Sequence, residues 1–289
     1  MGKLIGGREG EIELDGVRHA FLEFGAEDGP VVVCLHGWLD NAASFAPLAG
    51  ELPGHRLLAL ELAGHGHSEH RPAGRPYHHL DWVLDVLRVT EALGLSRFAL
   101  MGHSMGAGVA ALVAGTAPER VTSLVLIEGT GPRPTEPEDV PRVLEQHLAA
   151  ECRAAGIPPR TRPARFEIAV RARLVSSPVS RRAAELLALR GTCPVDDGVL
   201  WRNDTRLSHL QPMILSEAQI LGFLSRIDAP TLLIAAEDGI RYNADLVAAR
   251  REAIPKLTSV TVPGRHHVHM DDPAVVAAHV AKHLGETGS

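Results

Sequence analysis

A chain of 289 residues, 45% of them hydrophobic, can bury a core large enough for one sizeable α/β domain with an insertion. Its 29 Lys and Arg against 35 Asp and Glu form no dense basic patch, so nucleic acid is not an expected partner. Three scattered cysteines, Cys34, Cys152 and Cys193, argue against a disulfide framework, and no apolar run is long enough for a spanning helix. The N-terminal stretch has neither a long apolar core nor a cleavage-like site, so a soluble cytoplasmic protein without a membrane partner is the expectation. The oligomeric state is left open.

In chain order, residues 11–24 alternate in the manner of strands, with a hairpin turn at Asp15-Gly16. Val31-Val32-Val33-Cys34-Leu35 is continuously apolar, as a central parallel strand covered on both faces should be. Arg56 to Leu60 reads as another strand, and Asp81 to Leu93 has helical spacing. Phe98 to Met101 then leads into Gly102-His103-Ser104-Met105-Gly106, followed by the Ala-rich helical run from Ala107 to Ala114. A G-x-S-x-G pentapeptide on a strand-to-helix turn is a nucleophile elbow. The strained turn lifts the Ser104 hydroxyl clear of the sheet, at the positive end of a helix.

Val121 to Ile127 makes the next strand, and strands alternating with helices imply a mostly parallel sheet. The alternation stops at Gly131. From Pro132 to about Arg226 prolines punctuate helical pieces and no apolar strand is evident. Leu186, Leu187, Leu189, Leu200, Leu207, Ile214, Ile220 and Leu224 in this stretch need a packing surface, so it reads as a helical cap over the C-terminal strand ends. The expected division is a core of residues 1–131 and 227–289 with a cap insertion at 132–226. Thr231 to Ala236 resumes the sheet, and Ser259 to Pro263 is its last strand.

These stretches carry a resemblance. His36-Gly37-Trp38-Leu39-Asp40-Asn41, Gly64-His65-Gly66-His67-Ser68, the elbow, and Gly264-Arg265-His266-His267-Val268-His269 are similar to the α/β-hydrolase superfamily, and within it to the serine hydrolase-like group. The resemblance implies an α/β-hydrolase fold, with a mostly parallel sheet flanked by helices and the cap inserted after the strand ending near Glu128. It implies Ser104 as nucleophile and a histidine base on the loop after the last strand. The superfamily pattern G-x-G-H, laid on Gly264-Arg265-His266-His267, favours His267 as the base and leaves His266 where a glycine usually stands. The backbone N–H groups of Met105 and Trp38 are the expected oxyanion donors.

The acid has two candidates. Counting from Pro230 by the usual pattern lands on Gly239, with Asp238 one place early. Glu128, at the end of the strand 121–127, takes the position used by dehalogenase-type members and is preferred. Dehalogenases and epoxide hydrolases of this fold carry an elbow aspartate where this chain has Ser104. The only tyrosines are Tyr77 and Tyr242, both outside the segment where epoxide hydrolases use cap tyrosines.

The histidine clusters (His65, His67 and His70; His266, His267 and His269) lack H-E-x-x-H or a cysteine pair. No catalytic metal or cofactor is therefore expected. The expected activity is hydrolysis of a small-molecule ester, with a lactone, a thioester or a carbon–carbon bond as alternative targets. A receptor-like binding protein of the same fold is the non-enzymatic alternative.

Overall fold

The computed structural model describes residues 6–154, 163–209, 211 and 215–287. Strands β1 (Arg8–Leu14) and β2 (Val17–Gly25) form the hairpin, and β3 (Val31–Leu35) is followed by the short helix α1 (Ala46–Gly50). Next come β4 (Arg56–Leu60), α2 (His79–Ala92), β5 (Phe98–His103), α3 (Met105–Thr116) and β6 (Val121–Ile127). The segment between β6 and the next sheet strand holds α4 (Val140–Ala154), α5 (Phe166–Ser176), α6 (Arg181–Gly191), β7 (Thr192–Val195), β8 (Gly198–Trp201) and α7 (Glu217–Leu224). The chain ends with β9 (Thr231–Asp238), α8 (Ala244–Ala253), β10 (Leu257–Arg265), α9 (Val268–Asp271) and α10 (Pro273–Thr287).

Among the described residues, eight strands form one sheet in the order β1-β2-β4-β3-β5-β6-β9-β10. β1/β2 and β2/β4 are antiparallel, and the pairs from β4 to β10 are parallel. The β3 run is apolar without alternation because helices cover both faces of the sheet. One face packs Leu35, Leu60, Leu100 and Leu126 with Trp82 of α2 and Leu112 of α3. The other packs Cys34, Met101, Ile127 and Ile234 with Leu48 of α1 and Val276 of α10. Every residue of α3 from Gly106 to Gly115 is buried, which explains why it shows no polar face. No described helix is long and apolar enough to cross a membrane.

The segment between β6 and β9 differs from the all-helical reading. It contains a two-stranded antiparallel sheet, β7/β8. Asp197-Gly198 was the signal for it, since an Asp-Gly step between Val-containing runs favours a tight hairpin, and Gly198 has φ 141°. Its leucines also divide. Leu186 and Leu187 pack with Val170 and Val199 in a small core that includes Met270. Leu207, Ile220 and Leu224 instead join the main core; Ile214 lies outside the described residues.

Candidate active site

Ser104 stands between β5 and α3 with φ 53° and ψ −115°, a left-handed conformation that a non-glycine residue adopts only when its surroundings impose it. The imposition is visible. The Ser104 N–H donates to Ile127 O at 2.9 Å, and its carbonyl accepts from Gly108 N–H at 3.1 Å. A Cβ on Gly102 would collide with the Gly106 backbone, and one on Gly106 would collide with the Leu35 backbone. The two glycines let helix α3 rest directly on β5 and β3, which holds the turn tight.

The Ser104 hydroxyl lies 2.9 Å from His266 Nε2. His266 Nδ1–H donates to Glu128 Oε2, also at 2.9 Å. His267 does not face the serine. Its Nε2 lies 3.1 Å from Asp40 Oδ2 and its Nδ1 3.2 Å from Ser177 Oγ. The expectation that His267 meets the nucleophile is therefore corrected by one residue. Between Val262 and Arg265 the β10 register against β9 shifts, and such an irregularity re-aims every later side chain. His267 has already turned away as the residue preceding α9.

Glu128 follows β6 with φ 57° and is buried. Its N–H donates to Ile234 O at 2.9 Å. Its Oε1 accepts from Ala236 N–H at 2.6 Å, and Oε2 accepts from Ile240 N–H at 3.2 Å. A Cβ on Gly239 would collide with this carboxylate. The position where the superfamily count places an acid is thus a glycine whose missing side chain makes room for Glu128. Asp238 is exposed at the end of β9.

The loop after β3 is held from both sides. His36 Nδ1–H donates to Gly37 O at 2.8 Å and its Nε2 accepts from Leu62 N–H at 3.1 Å; Asp40 N–H also donates to Gly37 O. Because the Gly37–Trp38 peptide is trans, pinning that carbonyl fixes the Trp38 N–H in the opposite direction. Met105 is the first residue of α3, where an amide has no intrahelical acceptor and adds to the helix's positive end. The Trp38 side chain is 52% exposed, with its Nε1–H donating to Leu207 O at 3.1 Å.

Sequence reasoning missed the partners of Leu39 and Asp40. Leu39, at φ 60°, has its carbonyl bonded by Arg173 Nη1 and Asn203 Nδ2, each at 3.0 Å. Arg173 also pairs with Asp40 Oδ1. Burial works against the Asp40 charge, but Arg173 and then His267 outweigh it and hold the carboxyl well below its ordinary range. Asp40 was in view within the His36-to-Asn41 motif. Arg173 carried no signal, being 133 residues away in the chain.

The 64–68 loop is structural. Ser68 Oγ–H donates to Glu61 O at 2.6 Å, and His67 N–H donates to Glu61 Oε2 at 2.7 Å. His65 is fully buried against Trp82 and His36. Burial, reinforced by His36, lowers its pKa from 6.5 to about 3. The unfolded chain therefore takes up this proton first, so the stability that neutral His65 supplies above pH 6.5 is lost as pH falls towards 3. By pH 5 the loss from this group alone is about 2 kcal/mol. Urea unfolding at pH 7 and pH 5 checks this, and equal stability at both would contradict it.

The chain belongs to the α/β-hydrolase fold family, whose sequence model matches residues 30–273. Within that family it is similar to serine hydrolase-like proteins. One from Danio rerio is 33% identical over 271 residues, 90% of this chain and 83% of the relative. Serine hydrolase-like protein 2 of Homo sapiens is 32% identical over 279 residues, 90% of this chain and 88% of the relative. Among solved structures, a hypothetical protein of Pseudomonas aeruginosa PAO1 superposes with a TM-score of 0.88 at 42% identity, over 96% of this chain and 98% of that one. The thioesterase domain from the curacin biosynthetic pathway gives 0.84 at 26% identity, over 96% and 99%. The protein is a hydrolase of this family.

Proposed function

We propose that the protein is a serine hydrolase that cleaves ester-type small molecules, oxygen esters or thioesters, without metal or cofactor. The observation that carries this is the unbroken hydrogen-bond chain from Ser104 Oγ through His266 to Glu128. Ser104 Oγ attacks the carbonyl carbon while His266 Nε2 takes its proton, and Glu128 orients the ring and balances the imidazolium. The tetrahedral oxyanion meets the backbone N–H groups of Met105 and Trp38. As it collapses, His266 returns the proton to the leaving alcohol or thiol, leaving an acyl group on Ser104. Water then attacks the acyl carbon, giving its proton to His266, which passes it to Ser104 Oγ as the acyl–oxygen bond breaks; the carboxylic acid leaves and the free serine is restored. The 26%-identical thioesterase domain supports including thioesters. The segment between β6 and β9, with Leu207 against Trp38, is the proposed cap that shapes the substrate entrance.

Labelling the native protein with a fluorophosphonate tests the reading. We expect stoichiometric modification at Ser104, with p-nitrophenyl esters of graded chain length turned over at unchanged rate in EDTA. A folded protein whose Ser104 resists the probe would favour the receptor-like alternative, and chelator-sensitive hydrolysis restored by metal would overturn the cofactor-free mechanism.

A further inference from the structure

Behind the serine and its histidine lies a second buried group of side chains that the hydrolytic cycle does not use. His103, fully buried, sits between Asp40, His266, His267 and His269. Its Nε2 lies 2.8 Å from His266 O. A carbonyl only accepts, so this nitrogen carries the proton and the neutral ring presents a bare lone pair at Nδ1. Among the described residues that Nδ1 has no hydrogen-bond partner. It faces Asp40 Oδ2 across 3.8 Å. The buried Nδ1 lone pair thus meets an acceptor and no donor, while Asp40 Oδ2 is served from the other side by His267 Nε2–H; a buried lone pair left this way costs free energy unless something electrophilic joins it.

We propose that Asp40 Oδ2, His103 Nδ1 and His267 Nε2 form a binding site for a divalent transition-metal ion such as Zn²⁺ or Co²⁺. All three atoms lie within 4.8 Å of one another. Zinc holds such ligands at about 2.0–2.2 Å in a tetrahedron, which sets neighbouring ligand atoms about 3.3 Å apart. Asp40 Oδ2 lies 3.1 Å from His267 Nε2 and 3.8 Å from His103 Nδ1, so a bound ion would draw the His103 ring inward to reach that spacing. Two imidazoles and one carboxylate suit this class of ion rather than calcium or magnesium.

The outer contacts also match a built site. A ligating histidine characteristically gives its other N–H to a carbonyl, a carboxylate or water, and a ligating carboxylate is itself hydrogen-bonded. Here His103 Nε2–H donates to His266 O, His267 Nδ1 lies beside Ser177 Oγ, and Asp40 Oδ1 is held by Arg173. On binding, His267 surrenders its Nε2 proton and carries one at Nδ1, where Ser177 Oγ accepts it. Arg173 opposes a dication, so the expected affinity is weaker than that of a structural zinc finger. The ion would tie together the segment before Ser104, the segment after His266 and the loop that carries Trp38. It takes no part in acyl transfer.

Equilibrium dialysis of the full chain with Zn²⁺, and Co²⁺ titration followed by visible absorption, test the site. We expect one ion per chain and a d–d spectrum of low coordination number. His103→Gln, His267→Gln and Asp40→Asn, each shown folded by circular dichroism, should weaken binding at least about tenfold. Ser104→Ala and Glu128→Gln should bind as the parent does, so the site stands or falls independently of the hydrolase reading. Parent-like binding in the folded His103→Gln variant, or binding lost in Glu128→Gln instead, would overturn the proposal. Where a variant fails to fold, X-ray absorption of the zinc-loaded parent decides. Two imidazoles with a carboxylate support the site; one imidazole or a sulfur ligand refutes it.

Discussion

Ser104→Ala and His266→Ala should each lower kcat by about 10⁶-fold, and the double variant should be no worse than either alone. The serine hydroxyl is a weak nucleophile until a base removes its proton, and the base has nothing to activate once the hydroxyl is gone, so the two act as one unit. The motivating distance is the 2.9 Å from Ser104 Oγ to His266 Nε2. His267→Gln provides the contrast. Its ring is turned to Asp40 and Ser177, so its loss should cost at most about tenfold, through the packing behind the site. Steady-state kinetics on a p-nitrophenyl ester, with circular dichroism to verify folding, separates the two histidines. If His267→Gln were the crippling change and His266→Ala mild, the base would be the residue favoured by the motif count.

Glu128→Gln should cut kcat by up to about 10⁴-fold, because the amide leaves the geometry in place while favouring the wrong imidazole tautomer and offering no charge to the imidazolium. A neutral amide would also sit where the Ala236 and Ile240 N–H groups now converge on a carboxylate. Asp238→Asn should leave kcat within about twofold, as expected of an exposed carboxylate. The measurement is the same assay on the two variants. A severe loss in Asp238→Asn with a mild one in Glu128→Gln would move the acid to the loop after β9.

Much of the frame is legible in the residues. The Asp15-Gly16 turn, the unalternating Val31–Leu35 run and the apolar stretch leading into Gly102-His103-Ser104-Met105-Gly106 are local signals, carried by side-chain pattern and turn chemistry. Ser104 stands out because its elbow is built from neighbours in the chain, and Glu128 is visible as a carboxylate ending a strand. Four features became visible only once the chain was folded. Which of two adjacent histidines meets Ser104 depends on the β10 register shift between Val262 and Arg265, a single step that a motif count cannot detect. That Gly239 vacates the space filled by Glu128 depends on two strands lying side by side. The grip of Arg173 on Leu39 and Asp40, and the bare Nδ1 of His103 facing the same carboxylate, join residues far apart in sequence. Most strands of the large sheet and the elbow follow from contacts within a few residues and are legible for that reason, while the β7/β8 hairpin escaped the helical reading. Which histidine faces Ser104 and which buried groups meet Asp40 are set by the packing of distant segments, so no local pattern encodes them.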